Sequence, residues 1–166
     1  MSEQAPNFCL ISNSESETLA IGTLIGQRLI AGMVIALSGT LGAGKTRLVQ
    51  AIARGLDVES DTVTSPTFTI CIPYAGRLPM WHLDAYRIKS VDEVDELGLD
   101  EQIDFGSIVL VEWAERIEEA LPPIDVWLRL KLLDDQVRSI SVTSESEKGA
   151  DLLRGLADSG LEKWQK

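Results

Sequence analysis

The residues best suited to chemistry lie between Gly39 and Thr46. Gly39-Thr40-Leu41-Gly42-Ala43-Gly44-Lys45-Thr46 completes the pattern G-x-x-x-x-G-K-[ST], a loop that cradles polyphosphate. Its glycines let the backbone wrap close, so that the N–H groups point inward. Lys45 is expected to reach the β- and γ-phosphates, and the Thr46 hydroxyl to ligate Mg2+. Such a site also needs a carboxylate across the metal, usually at the end of a buried strand. Asp84, after Met80-Trp81-His82-Leu83, and Glu112, after Ile108-Val109-Leu110-Val111, both qualify, and the run before Glu112 is the more apolar. Each alone also fits a solvated acid just past a strand end.

Other polar residues carry weaker signals. Thr67 and Thr69 follow Pro66, which stiffens their loop. A threonine there can sense a γ-phosphate as a switch does, although β-propensity in the following strand explains both as well. His82 is the only histidine, and a lone histidine more often makes a structural hydrogen bond than a catalytic one. Tyr86 and Arg87 fit a surface, a partner or nucleotide contact, or, for Arg87, a cation assisting phosphoryl transfer.

These groups must be held by strands and helices. Val34 to Leu37 reads as a buried parallel strand entering the loop. Leu48, Ile52 and Leu56 recur at helical spacing after it, with Gly55 as the stop. Upstream, Phe8 to Ile11 predicts a strand. Ser14-x-x-Glu17 predicts a capping box, with a helix running to Ile30. Residues 1–7 read as a flexible tail. Ile70 to Pro73 and Leu78 to Leu83 flank a Gly-containing turn and predict a hairpin. A hairpin inside a domain of parallel crossovers implies a mixed sheet. Ser90-x-x-Glu93 opens an acidic helix ending near Gly98. A helix is expected over Ala114 to Leu121, then strands over Val126 to Leu132 and Val137 to Val142. Ser144-x-x-Glu147 caps a C-terminal helix within 145–166. The expected architecture is one α/β P-loop domain over 1–166, with a central sheet, parallel plus an antiparallel hairpin, flanked by helices.

Composition narrows the classes. The chain has 45% hydrophobic and 25% charged residues, as a globular domain with a real core does. No apolar run reaches the ~20 residues of a membrane helix. The start MSEQAPNFCL has neither a basic nor an apolar leader region, so a cytoplasmic protein with no membrane partner is expected. Cys9 and Cys71 lie in apolar runs and read as reduced core residues. The 26 acidic residues against 15 basic ones oppose tight, direct tRNA binding by the chain alone.

GTLGAGKT, SPTFT, HLDAYR, ELG and LVEW, in that order and spacing, resemble the bacterial TsaE (YjeE) family over roughly Ser14 to Val142. That family supplies the ATPase of threonylcarbamoyladenosine biosynthesis in tRNA. The resemblance implies ATP or ADP bound with Mg2+, weak hydrolysis, and action with the TsaB–TsaD heterodimer on the adenosine beside the anticodon. It implies binding of the nucleotide by Thr40, Leu41, Gly42, Ala43, Gly44, Lys45, Thr46, Arg47, Thr67 and Trp113. Asp84, Glu112 and Lys45 would be catalytic, and Thr46 and Glu112 would hold the metal. Thr67 resembles the switch-like element near the γ-phosphate. The chain departs from the family loop GDLGAGKT by Thr40 in place of the acid, and by Arg47 where a second threonine is common. Thr40 is expected on the outer side of the loop, which spares ATP binding but puts a partner contact through that acid in doubt. A small-molecule kinase and a GTPase switch are the alternatives. A kinase needs an Arg-bearing lid, whereas Arg77 sits in a tight turn. Guanine recognition resembles [NT]-K-x-D, which does not occur here, and this points to ATP.

Overall fold

The computed structural model describes residues 6–66 and 69–166. Its strands are β1 (Phe8–Ser12), β2 (Val34–Ser38), β3 (Cys71–Tyr74), β4 (Met80–Asp84), β5 (Ile108–Glu112), β6 (Val126–Leu132) and β7 (Arg138–Ser144). Its α-helices are α1 (Glu15–Arg28), α2 (Lys45–Gly55), α3 (Val91–Asp95), α4 (Leu99–Asp104) and α5 (Glu147–Ala157). Among the described residues the strands form one sheet in the order β1-β7-β6-β2-β5-β4-β3. β2 lies parallel to both β5 and β6, and β4 parallel to β5. The β3–β4, β6–β7 and β1–β7 pairs are antiparallel. The sheet is therefore mixed, as the hairpins in the sequence require.

Alternation along the strands divides the core between the two faces of the sheet. Ile35, Leu37, Leu110, Leu128 and Ile140 pack with Ile21 and Ile25 of α1, Leu48 and Ile52 of α2, and Leu153 of α5. Val34, Ala36, Val109, Val111 and Leu83 face Val94, Leu99 and Ala114. Strands buried on both sides read as continuous apolar runs, which is why β2 and β5 stand out in the sequence. α1 presses closely on α2: a Cβ at Gly26 would collide with the Ile52 carbonyl, and one at Gly55 with the Thr23 carbonyl. This contact holds α2, and with it Lys45 and Thr46, at a fixed height above the sheet.

Several local expectations change. α1 ends at Arg28, because Leu29 is extended (ψ 140), and Ile30 is exposed. Arg77 donates to the Gly26 and Leu29 carbonyls (3.0 and 3.1 Å) and so closes that helix end. In the capping box, Ser14 accepts from the Glu17 N–H, but Glu17 reaches back to the Asn13 N–H. After α2 the left-handed residue is Asp57 (φ 59), not Gly55. The acidic segment does not stop at Gly98: this residue is left-handed (φ 64) and starts α4. The helix expected over Ala114 to Leu121 is two 3-10 turns, Ala114–Arg116 and Glu118–Ala120. Left-handed Trp113 (φ 58) starts the first turn, and Ile117 (φ −136) separates the two.

β7 runs through Ser144, so Ser146 caps α5 in its place, accepting from the Gly149 N–H at 3.0 Å. The C-terminal segment is α5 followed by a 3-10 turn, Leu161–Trp164. Neither cysteine is a core residue: Cys9 is exposed and Cys71 half-buried, each on an outer strand of the sheet. Residues 1–5 of the expected tail lie outside the described residues.

Candidate functional site

The loop between β2 and α2 sits at the C-terminal end of the central parallel strands. Gly42 and Gly44 are left-handed (φ 80 and 101), so L side chains at either position would be strained. Gly44 offers no side chain to cap α2, and the first turn of α2 carries no acid. The N–H groups at its start and the positive end of its dipole are left to attract an anion.

Lys45 is buried, at 5% exposure. Its Nζ donates to the Gly39 and Thr40 carbonyls (2.6 and 3.0 Å) and lies 3.8 Å from the centre of the Trp113 ring. Burial pushes the Lys45 pKa below its ordinary value, and the carboxylates of Glu112, Glu115 and Asp84 pull it partly back. An ammonium held by carbonyls and a ring face is displaceable, and a polyphosphate would offer it stronger, charge-assisted bonds.

Thr46 Oγ1 donates to Glu112 Oε1 at 2.8 Å, joining the head of α2 to the end of β5. Asp84 and Glu112 are register partners on neighbouring parallel strands, so the two acids stand side by side. Their side chains turn apart. Asp84 accepts from the Tyr86 N–H (3.0 Å) and the Ser65 hydroxyl (3.4 Å). Glu112 Oε2 meets His82 Nε2 at 2.6 Å.

A cavity of about 500 Å³ opens over the loop, lined among others by Gly44, Lys45, Thr46, Asp84, Glu112 and Trp113. That volume suits a small organic ligand. Leu41, Gly42 and Arg47 also line it, whereas Thr40 is exposed and Ala43 packs into the core. Arg47 pairs with Glu15 at the rim (3.2 Å), where both are exposed and the pair contributes little. Tyr86 lies 5.1 Å from the Trp113 ring and under the Arg116 guanidinium, and Arg87 is on the cavity wall. Thr67 lies outside the described residues.

His82 makes a structural hydrogen bond, as expected of a lone histidine, and its partner is Glu112. Sequence reasoning missed two other contributors. Ser65, just before Pro66, donates a long hydrogen bond (3.4 Å) to Asp84. Arg138 has no local signal. It starts β7, donates to the Ala43 carbonyl at 3.3 Å, and its guanidinium fills the space a side chain at Gly44 would need.

Known proteins are similar to this chain in sequence and fold. The sequence model of the family described as threonylcarbamoyl adenosine biosynthesis protein TsaE matches residues 12–140. The tRNA threonylcarbamoyladenosine biosynthesis protein TsaE of Treponema pallidum is 38% identical over 132 residues, covering 80% of this chain and 97% of that protein. The protein of the same name from Bacillus subtilis is 43% identical over 129 residues, covering 77% and 80%. The crystal structure of YdiB from Bacillus subtilis superposes with a TM-score of 0.77 at 33% identity, covering 95% of this chain and 99% of that one. The fold is that of a P-loop NTPase, and the chain belongs to the TsaE family.

Proposed function

We propose that this chain is a Mg2+-dependent ATP-binding protein with weak ATPase activity. On this reading it acts with a TsaB–TsaD complex in forming threonylcarbamoyladenosine beside the tRNA anticodon. The pathway follows from the family. The nucleotide chemistry rests on one observation, the 2.8 Å bond between Thr46 and Glu112 beside Lys45. It puts a hydroxyl and a carboxylate, both hard oxygen donors, at one point beside a phosphate-binding loop. Mg2+ is usually held by one or two protein groups and the phosphates of its nucleotide. Bound Mg2+ would supply positive charge to the phosphate oxygens.

On this reading Lys45 would exchange the Gly39 and Thr40 carbonyls for the phosphates. Thr46 and Glu112 would hold the metal. Asp84 would orient the attacking water with Oδ2, the oxygen whose bond to Ser65 is long at 3.4 Å. Ser65 couples that carboxylate to the loop of Thr67, a route by which nucleotide state could reach a partner surface. Arg77 is engaged in closing α1, which leaves it unsuited to the lid a kinase would need.

The net charge of −11 supports leaving RNA contacts to partner proteins. No helix among the described residues is long and apolar enough to cross a membrane.

The test is calorimetry with ATP and GTP, each with and without Mg2+, followed by threonylcarbamoyl transfer to tRNA by TsaB–TsaD with and without this chain. Preference for ATP, strengthened by Mg2+, and a requirement for the chain in transfer are expected. Equal GTP affinity, or transfer at full rate without the chain, would refute it.

A further inference from the structure

Among the described residues His82 combines complete burial with a side-chain hydrogen bond to an acid of the site. The ring is fully buried, with 0% exposure. Nε2 lies 2.6 Å from Glu112 Oε2, while Nδ1 is buried with no hydrogen-bond partner among the described residues. A histidine that only filled the core would be expected to satisfy its nitrogens on backbone groups, because an unmatched buried polar atom is destabilising. Among the described residues the ring instead bonds the acid that also accepts from Thr46.

The strand register explains the geometry. Met80, His82 and Asp84 share one face of β4, and Leu110 and Glu112 share the same face of β5. Asp84 stands directly opposite Glu112, and His82 is its diagonal neighbour, opposite Leu110. Two carboxylates directly opposite repel each other, whereas a diagonal position is within reach of a long side chain. Glu112 accordingly turns down the sheet toward His82 with Oε2 and across to Thr46 with Oε1. Without the bond to His82, Oε2 would be buried with no donor, and the carboxylate would be drawn toward Lys45, the cation it already stabilises.

We infer that His82 is a positioning residue for the metal side of the site: its Nε2–H locks the Glu112 rotamer so that Oε1 is held at the Thr46 hydroxyl. The inference rests on the Mg2+-dependent nucleotide binding proposed above. It assigns His82 no contact with nucleotide or metal and no proton transfer. It makes Thr46–Glu112–His82 one chain of hydrogen bonds running from the head of α2 into the sheet.

The experiment measures affinity for a non-hydrolysable ATP analogue by calorimetry, with Mg2+ and with the metal chelated, in the wild type and in His82→Leu, His82→Gln and His82→Asn. The quantity read is the ratio of the two affinities. Removing an outer partner of a metal-binding group typically lowers metal affinity about 10–100-fold. His82→Leu should therefore shrink the Mg2+ enhancement by roughly tenfold or more, while metal-free affinity stays close to that of the wild type.

Gln extends an amide N–H to about the place of Nε2 and should keep most of the enhancement. Asn reaches only as far as Nδ1 and should lose it. Circular dichroism and thermal melting check that each variant is folded. If His82→Leu does not fold, the contrast between Gln and Asn decides. An unchanged ratio in His82→Leu, an equal loss with and without Mg2+, or identical behaviour of Gln and Asn would overturn the inference. A wild type showing no Mg2+ enhancement would instead remove the metal reading on which it stands.

Discussion

β2 has a parallel neighbour on each side, and the two flanks of its loop are built differently. On the β5 flank, Asp84, Glu112 and His82 come from adjacent central strands, where parallel register sets one acid beside the other. Thr46 is bonded directly to that group. On the β6–β7 flank the charged contribution to the loop among the described residues is Arg138, delivered by an antiparallel hairpin and resting on the Ala43 carbonyl. Asp84 and Glu112 lie on one side of the loop and Arg138 on the other. This difference separates two tasks. On the proposed reading the acidic flank would place a metal and a water, and the basic flank would attract and orient the nucleotide's phosphates. Substitutions on the first flank should therefore alter turnover and metal dependence, and those on the second should alter affinity alone.

Lys45→Ala should have the largest effect on ATP affinity, because it removes the buried cation of the loop. Tight ATP binding should be lost, by about 100-fold or more, as a buried charge-assisted contact to phosphate disappears. Unchanged affinity in calorimetry would mean the loop is not the phosphate site. Next in size are the two acids. Asp84→Ala should leave ATP affinity nearly intact and lower partner-stimulated turnover by about 10²–10⁴-fold, the usual range for a positioned acid–base group. Glu112→Ala should weaken Mg2+-dependent binding more than Asp84→Ala does. Wild-type hydrolysis by both variants with partners present would dissolve the distinction between the flanks.

The acidic flank was largely legible in the sequence and the basic flank was not, for a physical reason. The loop, β2 and β5 announce themselves because a buried parallel strand needs a continuous apolar run, and a phosphate loop needs glycines at fixed places. Glu112 and Asp84 are each the last residue of a strand, so an argument about strand ends finds them. That they are register partners depends on strand pairing, which no local pattern contains. Arg138 follows the turn of an ordinary hairpin, 95 residues from the carbonyl it touches, and only the topology carries it there. The same limit explains the segment after Trp113. Its composition is helical, but its two 3-10 turns follow from a left-handed tryptophan set beneath Lys45.

Arg138→Ala tests the basic flank and should have a moderate effect. Hydrogen bonds to charged groups contribute about 1.5–3 kcal/mol, and partial exposure reduces that figure. A loss of roughly tenfold in ATP affinity is expected on that basis, with turnover at saturation unchanged. A drop in turnover at saturating ATP, with affinity intact, would move Arg138 to the catalytic side and erase the contrast.

The smallest effect concerns the outermost strand on each side, and it requires no substitution. β1, beyond β7, carries Cys9, and β3, beyond β4, carries Cys71. Cys9 is exposed, although its carbonyl accepts from the Lys166 N–H. Cys71 is half-buried, and burial pushes its thiol pKa up to about 12. At pH 8 only about one Cys71 thiol in ~10⁴ would be thiolate, the form that attacks an alkylating agent. Iodoacetamide at that pH should therefore modify Cys9 well before Cys71, as peptide mapping by mass spectrometry would read. The raised pKa also fixes a sign for stability. Between about pH 9 and 12 the unfolded chain releases the Cys71 proton while the folded chain keeps it, so this thiol's contribution to stability falls as pH rises through that window. Cys71→Ser should flatten that part of a pH–stability curve. Equal alkylation of both cysteines at pH 8 would mean that β3 detaches readily from β4. The acidic flank would then lack the fixed outer strand that holds His82 and Asp84 in register.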